Sequence, residues 1–176
     1  MRMTPLKASL VLKWALYAAL AVVMVAVVYS RFFPALVAKG RMAPPLVLWL
    51  DSQERLDITE ARGAWLVLNF WGTYCGPCRR EAPVLNRIHE KLAPKGGRVI
   101  GIAVDDLPLL SVTKKARALG MSYPIALASE EDMTRCKVTT IPTTYVLDPK
   151  GIIRDATVGM ISERRLLRVL KTPFMR

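Results

Sequence analysis

Short apolar runs alternate along the chain with segments in which apolar residues recur every three or four positions. This pattern predicts strands and helices in turn. Apolar runs at Trp65–Phe70, Val99–Val104 and Ile125–Ala128 have the length and composition of strands buried on both faces of a sheet. Between these runs, apolar residues recur at helical spacing, which predicts helices with one core-facing stripe. The first predicted helix covers about Gly76–Lys91, and the second has apolar residues from Leu109 to Leu119.

The last third of the chain predicts a different connection. Strands at Thr143–Leu147 and Ile152–Val158 flank an Asp-Pro-Lys-Gly sequence that suits a tight turn between antiparallel strands. Ser129 and Asp132 form a capping-box pattern that opens a short helix, and a final helix is predicted around Leu166–Leu170. The order β-α-β-α-β-α-β-β-α predicts an α/β fold with a mixed central sheet covered by helices, parallel strands first and a hairpin last.

The first 45 residues differ from the rest of the chain. They contain no acidic residue, and the uncharged run Trp14–Ser30 is bounded by Lys13 and Arg31. At about 1.5 Å per residue, a helix of this run reaches roughly 25 Å, which is just enough to cross the hydrocarbon core of a membrane. We therefore expect an N-terminal tail and transmembrane anchor at residues 1–33, a linker at 34–45 and one domain at 46–176.

Two alternatives to this anchor remain open, a buried core helix and a cleaved signal peptide. Apolar residues on every helical face argue against the first. The run is longer than the apolar part of a usual signal peptide, and Phe32 and Phe33 after it make a poor cleavage site. Basic residues are balanced on its two sides, so the orientation depends on the cysteine chemistry described below.

The charge pattern limits the choice of partners. The chain has a formal net charge of +12, and all 14 acidic residues follow residue 45, where they are mixed with basic ones. No stripe of Lys and Arg interleaved with aromatic residues is present in the sequence. We therefore do not expect nucleic acid to be a partner.

Residues 71–78 (WGTYCGPC) lie where a predicted buried strand ends and a helix begins. Cys75 then lies at the helix N-terminus, where unpaired N–H groups and the helix dipole stabilise a thiolate. Cys78 falls one turn further along the same face, so the pair can close a small disulfide. Pro77 fits the first helical turn, because a missing N–H costs nothing there.

This position favours redox catalysis by the cysteine pair, and two other uses remain open. A structural disulfide closing so short a loop would constrain the unfolded chain little. A zinc site would need two more ligands, and the remaining candidates, Cys136 and His89, form no matching pair. We expect Cys136 to be a small buried side chain and His89 to be solvated.

Several segments resemble one known superfamily: Cys75–Cys78, Arg79–Pro83, Val99–Asp105, and Ile141–Thr144 followed by Asp148. Over about residues 44–171 the chain resembles the thioredoxin superfamily, and more closely its membrane-anchored TlpA/ResA-like branch. The resemblance implies a thioredoxin-like fold in which about residues 106–129 form an inserted helix and strand. It also implies a cis peptide bond between Ile141 and Pro142.

Dithiol-disulfide exchange assigns a role to each catalytic residue. Cys75 attacks a substrate disulfide and Cys78 resolves the mixed disulfide. Glu81 matches a glutamate of the resembled branch and is expected to exchange a proton with Cys78, with a solvated surface carboxylate as the alternative. Asn69 stands where thioredoxins have a buried acid. The residues expected to bind the substrate are Trp71, Tyr74, Gly76, Pro77, Ile141, Pro142 and Thr143. No metal and no dissociable cofactor is expected.

The expected function is that of a thiol-disulfide oxidoreductase that reduces protein disulfides on the periplasmic side of a bacterial cytoplasmic membrane. The resemblance implies a membrane electron donor of the DsbD/CcdA kind. It implies apocytochrome c or a copper-site protein of a respiratory oxidase as substrate. A thiol-based copper carrier and a disulfide-forming oxidant remain alternatives. A peroxidase is disfavoured because Gly72 stands where peroxiredoxins need a threonine.

Overall fold

The computed structural model describes residues 5–32 and 36–171, and the chain divides into two units, Met1–Ala35 and Leu36–Arg176. In the first unit, helix α1 (Pro5–Phe32) includes the uncharged run Trp14–Ser30. Within the described residues, none of the helices combines the length and the apolar character needed to cross a membrane. The transmembrane anchor predicted at residues 14–30 is not confirmed.

The second unit is built on seven strands within its described residues 36–171. They are β1 (Val47–Trp49), β2 (Arg55–Asp57), β3 (Leu66–Trp71), β4 (Arg98–Ala103), β5 (Ile125–Leu127), β6 (Thr143–Leu147) and β7 (Ile153–Val158). The last five strands form one sheet in the order β5-β4-β3-β6-β7. β3 pairs in parallel with β4, and β4 with β5, whereas β6 is antiparallel to both β3 and β7. The predicted mixed sheet, with parallel strands first and a hairpin last, is confirmed.

Four helices accompany this sheet in the described part of the second unit. They are α2 (Gly76–Leu92), α3 (Leu109–Ala118), α4 (Glu130–Arg135) and α5 (Glu163–Lys171), with a short 3-10 helix at Ala93–Lys95. The capping box predicted at Ser129 and Asp132 opens α4. Helix α3 and strand β5 lie between β4 and β6 along the chain, in the segment for which the resemblance implies an inserted helix and strand.

The two faces of β3 enclose two hydrophobic cores, because successive side chains of a strand point to opposite faces. Val67 and Trp71 pack in a first core with both cysteines of the 75–78 pair and the buried stripe of α2. Leu66, Leu68 and Phe70 pack in a second core, which includes apolar residues of β1 and β2. The cysteine pair therefore packs against β3, the central strand of the sheet.

Residues 40–43, within the segment predicted to form a linker, pair with β7 and the turn before it. Gly40 N–H donates to the carbonyl of Ile153 at 2.8 Å, Ile153 N–H donates to that of Arg41 at 2.9 Å, and Ala43 N–H donates to that of Gly151 at 2.9 Å. This segment thus covers the outer edge of β7, and the second unit includes it from Leu36 onward. Edge pairing through the backbone requires no side-chain periodicity, which is why the sequence pattern did not predict it. The three-residue strands β1 and β2 were missed because they are too short to show a period.

Candidate active site

The cysteine pair lies in the turn between β3 and α2. Cys75 is the N-cap residue of α2, with φ −85° and ψ 103°, and its Sγ accepts a hydrogen bond from Cys78 N–H at 3.2 Å. The two cysteines form a disulfide with Cα atoms 5.3 Å apart. Cys75 is 7% exposed and Cys78 is 2% exposed, so the first sulfur lies nearer the surface. The predicted arrangement, with Cys75 at the helix N-terminus and Cys78 one turn further, is confirmed.

The loop before Cys75 is held in place by Asp105, which follows β4. Thr73 N–H donates to Asp105 Oδ2 at 2.9 Å, and the Thr73 hydroxyl donates to Oδ1 at 2.6 Å. Cys75 N–H donates to the carbonyl of Gly72 at 3.0 Å, which closes the turn. The sequence indicated Asp105 only as part of an acidic turn after a strand. Its role in fixing this loop needed the tertiary structure.

An aromatic and an aliphatic side chain meet over Gly72, three residues before Cys75. A Cβ atom at Gly72 would lie 3.0 Å from Tyr74 Cε1 and 3.1 Å from Ile141 Cδ1, so a larger residue here would push these two side chains aside. The Tyr74 side chain is 72% exposed. The peptide bond between Ile141 and Pro142 is cis, as the resemblance implied. Tyr74 and Ile141 thus present an apolar surface beside the disulfide.

The seven residues predicted to bind substrate differ in their burial. Tyr74 and Pro77 are exposed, Gly76 and Ile141 are partly buried, and Trp71, Pro142 and Thr143 are buried. The Thr143 hydroxyl donates to the carbonyl of Thr140 at 2.6 Å. The side chains of Trp71 and Thr143 are therefore closed to solvent in this structure, and their roles in substrate binding stay predictions. Trp71 is in β3 and packs in the same core as the two cysteines, and Thr143 is the first residue of β6.

Glu81 is 1% exposed and lies three residues after Cys78 on α2. Burial raises its pKa from 4.5 to about 7, while the Ile161 N–H and the Asn69 amide act in the opposite direction. Ile161 N–H donates to Glu81 Oε1 at 3.0 Å. The alternative of a solvated surface carboxylate is wrong. A carboxyl group with this pKa can exchange protons at neutral pH.

Two other candidate residues, His89 and Cys136, are held within the packed structure of the domain. His89 is half-buried rather than solvated as predicted: its Nδ1 accepts a hydrogen bond from Val99 N–H at 3.2 Å, and burial lowers its pKa. Cys136 is buried in the second core, where burial raises its pKa to about 12 and keeps it a thiol. In the part of the chain that the structure describes, no group of three or more His, Cys, Asp or Glu side chains could hold a metal ion.

Comparison with known proteins decides the family. A profile of the AhpC/TSA family matches residues 39–156, which is more than half of the chain. The chain belongs to the AhpC/TSA family. It is 30% identical over 148 residues to the thiol-disulfide oxidoreductase ResA of Geobacillus kaustophilus (strain HTA426), covering 82% of this chain and 84% of that protein. It is 31% identical over 134 residues to the thioredoxin-like protein YneN of Bacillus subtilis (strain 168), covering 74% and 77%.

A solved structure has the same fold. The putative thiol:disulfide interchange protein DsbE from Chlorobium tepidum superposes with a TM-score of 0.69 at 22% identity, covering 77% of this chain and 96% of that one. This likeness shows the thioredoxin-like fold. The relatives and the Cys75–Cys78 disulfide make this AhpC/TSA-family chain a thiol-disulfide oxidoreductase.

Proposed function

We propose that the protein reduces disulfides of other proteins and leaves its own Cys75–Cys78 pair oxidised. The observation that supports this most strongly is the disulfide itself, which caps α2 beside the exposed Tyr74 and the partly buried Ile141. An extended substrate segment can lie against such a surface and bring its own disulfide to Cys75. The Gly-Pro sequence between the cysteines and Ile141 before Pro142 support the reducing direction by resemblance.

The proposed reaction transfers two electrons in two exchange steps. The Cys75 thiolate attacks one sulfur of the substrate disulfide, forming a mixed disulfide and releasing the other substrate sulfur as a thiolate. Glu81 then takes the proton of the Cys78 thiol, and the Cys78 thiolate attacks Cys75 Sγ. The second substrate sulfur leaves as a thiolate, so the substrate gains two electrons and the enzyme becomes a disulfide. This role of Glu81 is supported by its burial one helical turn beyond Cys78.

The oxidised enzyme needs an electron donor before it can act again. We propose a membrane protein of the DsbD/CcdA kind as this donor, and an apocytochrome c or a copper-site protein as the substrate. Enzymes of this type act where disulfides form, so we place the domain on the periplasmic or extracytoplasmic side of a bacterial cytoplasmic membrane. Attachment through residues 14–30 is part of the proposal, and the exposed apolar side chains of α1 support it.

Trapping of mixed disulfides tests the proposed roles. In Cys78→Ser the attacking sulfur remains and the resolving sulfur is lost, so mixed disulfides with substrate should accumulate. In Cys75→Ser almost none should form, and both variants should lose insulin-disulfide reduction. Cys136→Ser is the matched control, because this buried thiol lies outside the disulfide and its removal should leave reduction unchanged. Equal trapping by the two active-site variants would contradict the roles. Tight copper binding without insulin reduction would favour a copper carrier.

A further inference from the structure

Three polar atoms of the first core lie buried without a hydrogen-bond partner among the described residues. They are Trp71 Nε1, Glu81 Oε2 and the Tyr123 hydroxyl. The side chains of Trp71 and Tyr123 are fully buried, and Glu81 is nearly so. A buried polar atom without a partner is costly, and almost all such atoms in folded proteins are paired with protein or ordered water. These three atoms therefore call for a common explanation.

The sheet brings Trp71 and Tyr123 together over Gly101 of β4. Asn69 of β3 pairs in register with Gly101, and Asn69 and Trp71 are two residues apart, so they share one face of β3. A Cβ atom at Gly101 would lie 2.9 Å from Tyr123 Cε2 and 3.1 Å from Trp71 Nε1. The missing side chain of Gly101 thus leaves room for the tyrosine ring and the indole nitrogen to approach each other.

Glu81 lies on the same side of the sheet. The Asn69 amide lowers the pKa of its carboxyl group. Burial is the main cause that raises the pKa of Tyr123, and the charge of Glu81 is the second. The three unpartnered atoms are chemically complementary, since Trp71 N–H and Tyr123 O–H are donors and a Glu81 carboxylate oxygen is an acceptor. A buried water in proteins typically makes about three hydrogen bonds. One water thus has enough hydrogen bonds for the three groups.

We infer that Trp71 and Tyr123 are positioning residues that bind the Glu81 carboxylate through one buried water. The water accepts hydrogen bonds from the indole N–H and the phenol O–H and donates one to Glu81 Oε2. This arrangement stabilises the ionised form of Glu81, which is the form that can take a proton from Cys78. The inference rests on the proposed function of Glu81 as the base of the release step.

Charged side chains on the surrounding elements are engaged elsewhere. Strand β4 carries Arg98, which pairs with Glu54 at 2.8 Å. On α5, Glu163 pairs with Arg87 and Lys91 of α2, Arg165 pairs with Asp155 of β7, and Arg164 and Arg168 are exposed. Arg117 of α3 acts on Tyr123 and opposes the effect of Glu81. On α2 itself, Arg79 and Arg80 are exposed, and Cys78 is held in the disulfide and does not titrate in the oxidised protein.

The test is the pKa of Glu81 in Tyr123→Phe, measured by carbon-13 NMR titration of the carboxyl group in the oxidised protein. The phenol O–H is one of the two donors that hold the water against the Glu81 carboxylate, so its loss should raise this pKa from about 7 by about one unit. The rate at which Cys78 releases the substrate from the mixed disulfide should depend on the same proton. The lower of the pKa values in its pH profile should therefore rise by the same amount. Trp71→Phe removes the other donor and should shift both quantities in the same direction.

Tyr145→Phe is the matched control. It also removes a buried tyrosine hydroxyl, but this hydroxyl donates to the carbonyl of Cys136 at 2.6 Å, in the second core. An unchanged Glu81 pKa in both Tyr123→Phe and Trp71→Phe, or an equal shift in Tyr145→Phe, would overturn the inference. The NMR titration needs no turnover. A shift specific to Tyr123→Phe in a protein that fails to reduce insulin would therefore support the positioning role while refuting the proposed function.

Discussion

Glu81 lowers the stability of the folded protein at neutral and alkaline pH. Its pKa is 4.5 when solvated and about 7 in the fold, because burial disfavours the charged carboxylate. Between these two values the folded protein holds a proton that the unfolded chain has released. Stability therefore falls as the pH rises through this window, and the full cost of about 3 kcal/mol is reached above pH 7. Such a cost is common at catalytic sites, where ionisable groups are tuned for proton transfer.

Glu81→Gln should remove this pH-dependent cost. We expect the free energy of unfolding of the variant, relative to the parent, to rise by about 3 kcal/mol between pH 4.5 and pH 8. Urea denaturation of the oxidised proteins at several pH values measures it. Glu163→Gln is the control, because Lys91 and Arg87 lower the pKa of this partly exposed carboxylate and no gain should appear. If the difference in unfolding free energy between variant and parent does not change with pH, then the pKa of Glu81 in the fold is close to its solvated value of 4.5.

Residue roles were predictable from the sequence where they depend on local geometry. The spacing of Cys75, Cys78 and Glu81 along one helix follows from the helical repeat alone. The burial of Glu81 does not, because Arg79 and Arg80 beside it indicate a solvated surface, and its partner Ile161 lies 80 residues away along the chain. Tertiary packing therefore had to decide between the two interpretations.

At the scale of elements, the outer edge of β7 is protected by the segment that precedes β1. Besides the backbone pairing of Gly40–Ala43, Asp155 of β7 is 1% exposed and pairs with Lys39 Nζ at 2.5 Å and Arg165 Nε at 2.7 Å. Burial alone would raise the pKa of Asp155, but the hydrogen bonds from Arg165 and Lys39 outweigh it and lower the pKa. This ion-pair cluster joins the start of the domain to its last helix. Covering an edge strand in this way prevents it from pairing with another chain.

Two truncated proteins should differ sharply in stability. A protein beginning at Leu36 retains this segment and should keep the melting temperature of the domain. A protein beginning at Leu46 loses the backbone hydrogen bonds to β7, the Lys39–Asp155 pair and apolar contacts with the second core. We expect it to be less stable by on the order of 3–5 kcal/mol and prone to aggregate. Thermal melts with light scattering compare the two, and equal melting temperatures would show that the domain begins at residue 46.

Elements were predictable where the local sequence carries a clear pattern. The strands β3 and β5 appear as apolar runs, the helices α2 and α3 show a helical period, the capping box indicates α4, and all of these elements are present. Strands β1 and β2 are three residues long and pair with each other, and the turn between them is joined to β5 by Asp51 N–H, which donates to the carbonyl of Ile125 at 2.8 Å. The edge segment at residues 40–43 depends on backbone hydrogen bonds to Gly151 and Ile153, far along the chain. Such pairing leaves no pattern in the local sequence.

At the scale of the whole molecule, charge is distributed unequally along the chain. The first 45 residues contain basic side chains and no acid, whereas the rest of the chain mixes both signs. The site itself is compatible with any compartment, since the exchange of two thiols for a disulfide needs only a donor and a substrate. The proposed extracytoplasmic side is the one where a reductase meets proteins whose disulfides have already formed.

Labelling of an introduced cysteine should locate the domain. Glu130 is exposed at the start of α4, so Glu130→Cys in a Cys75→Ser, Cys78→Ser background offers one reactive thiol. The parent without Glu130→Cys is the control, because Cys136 is buried and its pKa of about 12 makes it unreactive. With a membrane-impermeant maleimide, we expect labelling of the introduced cysteine in intact spheroplasts of a bacterial host. Labelling that appears only after lysis would place the domain inside the cell and remove the proposed periplasmic substrates.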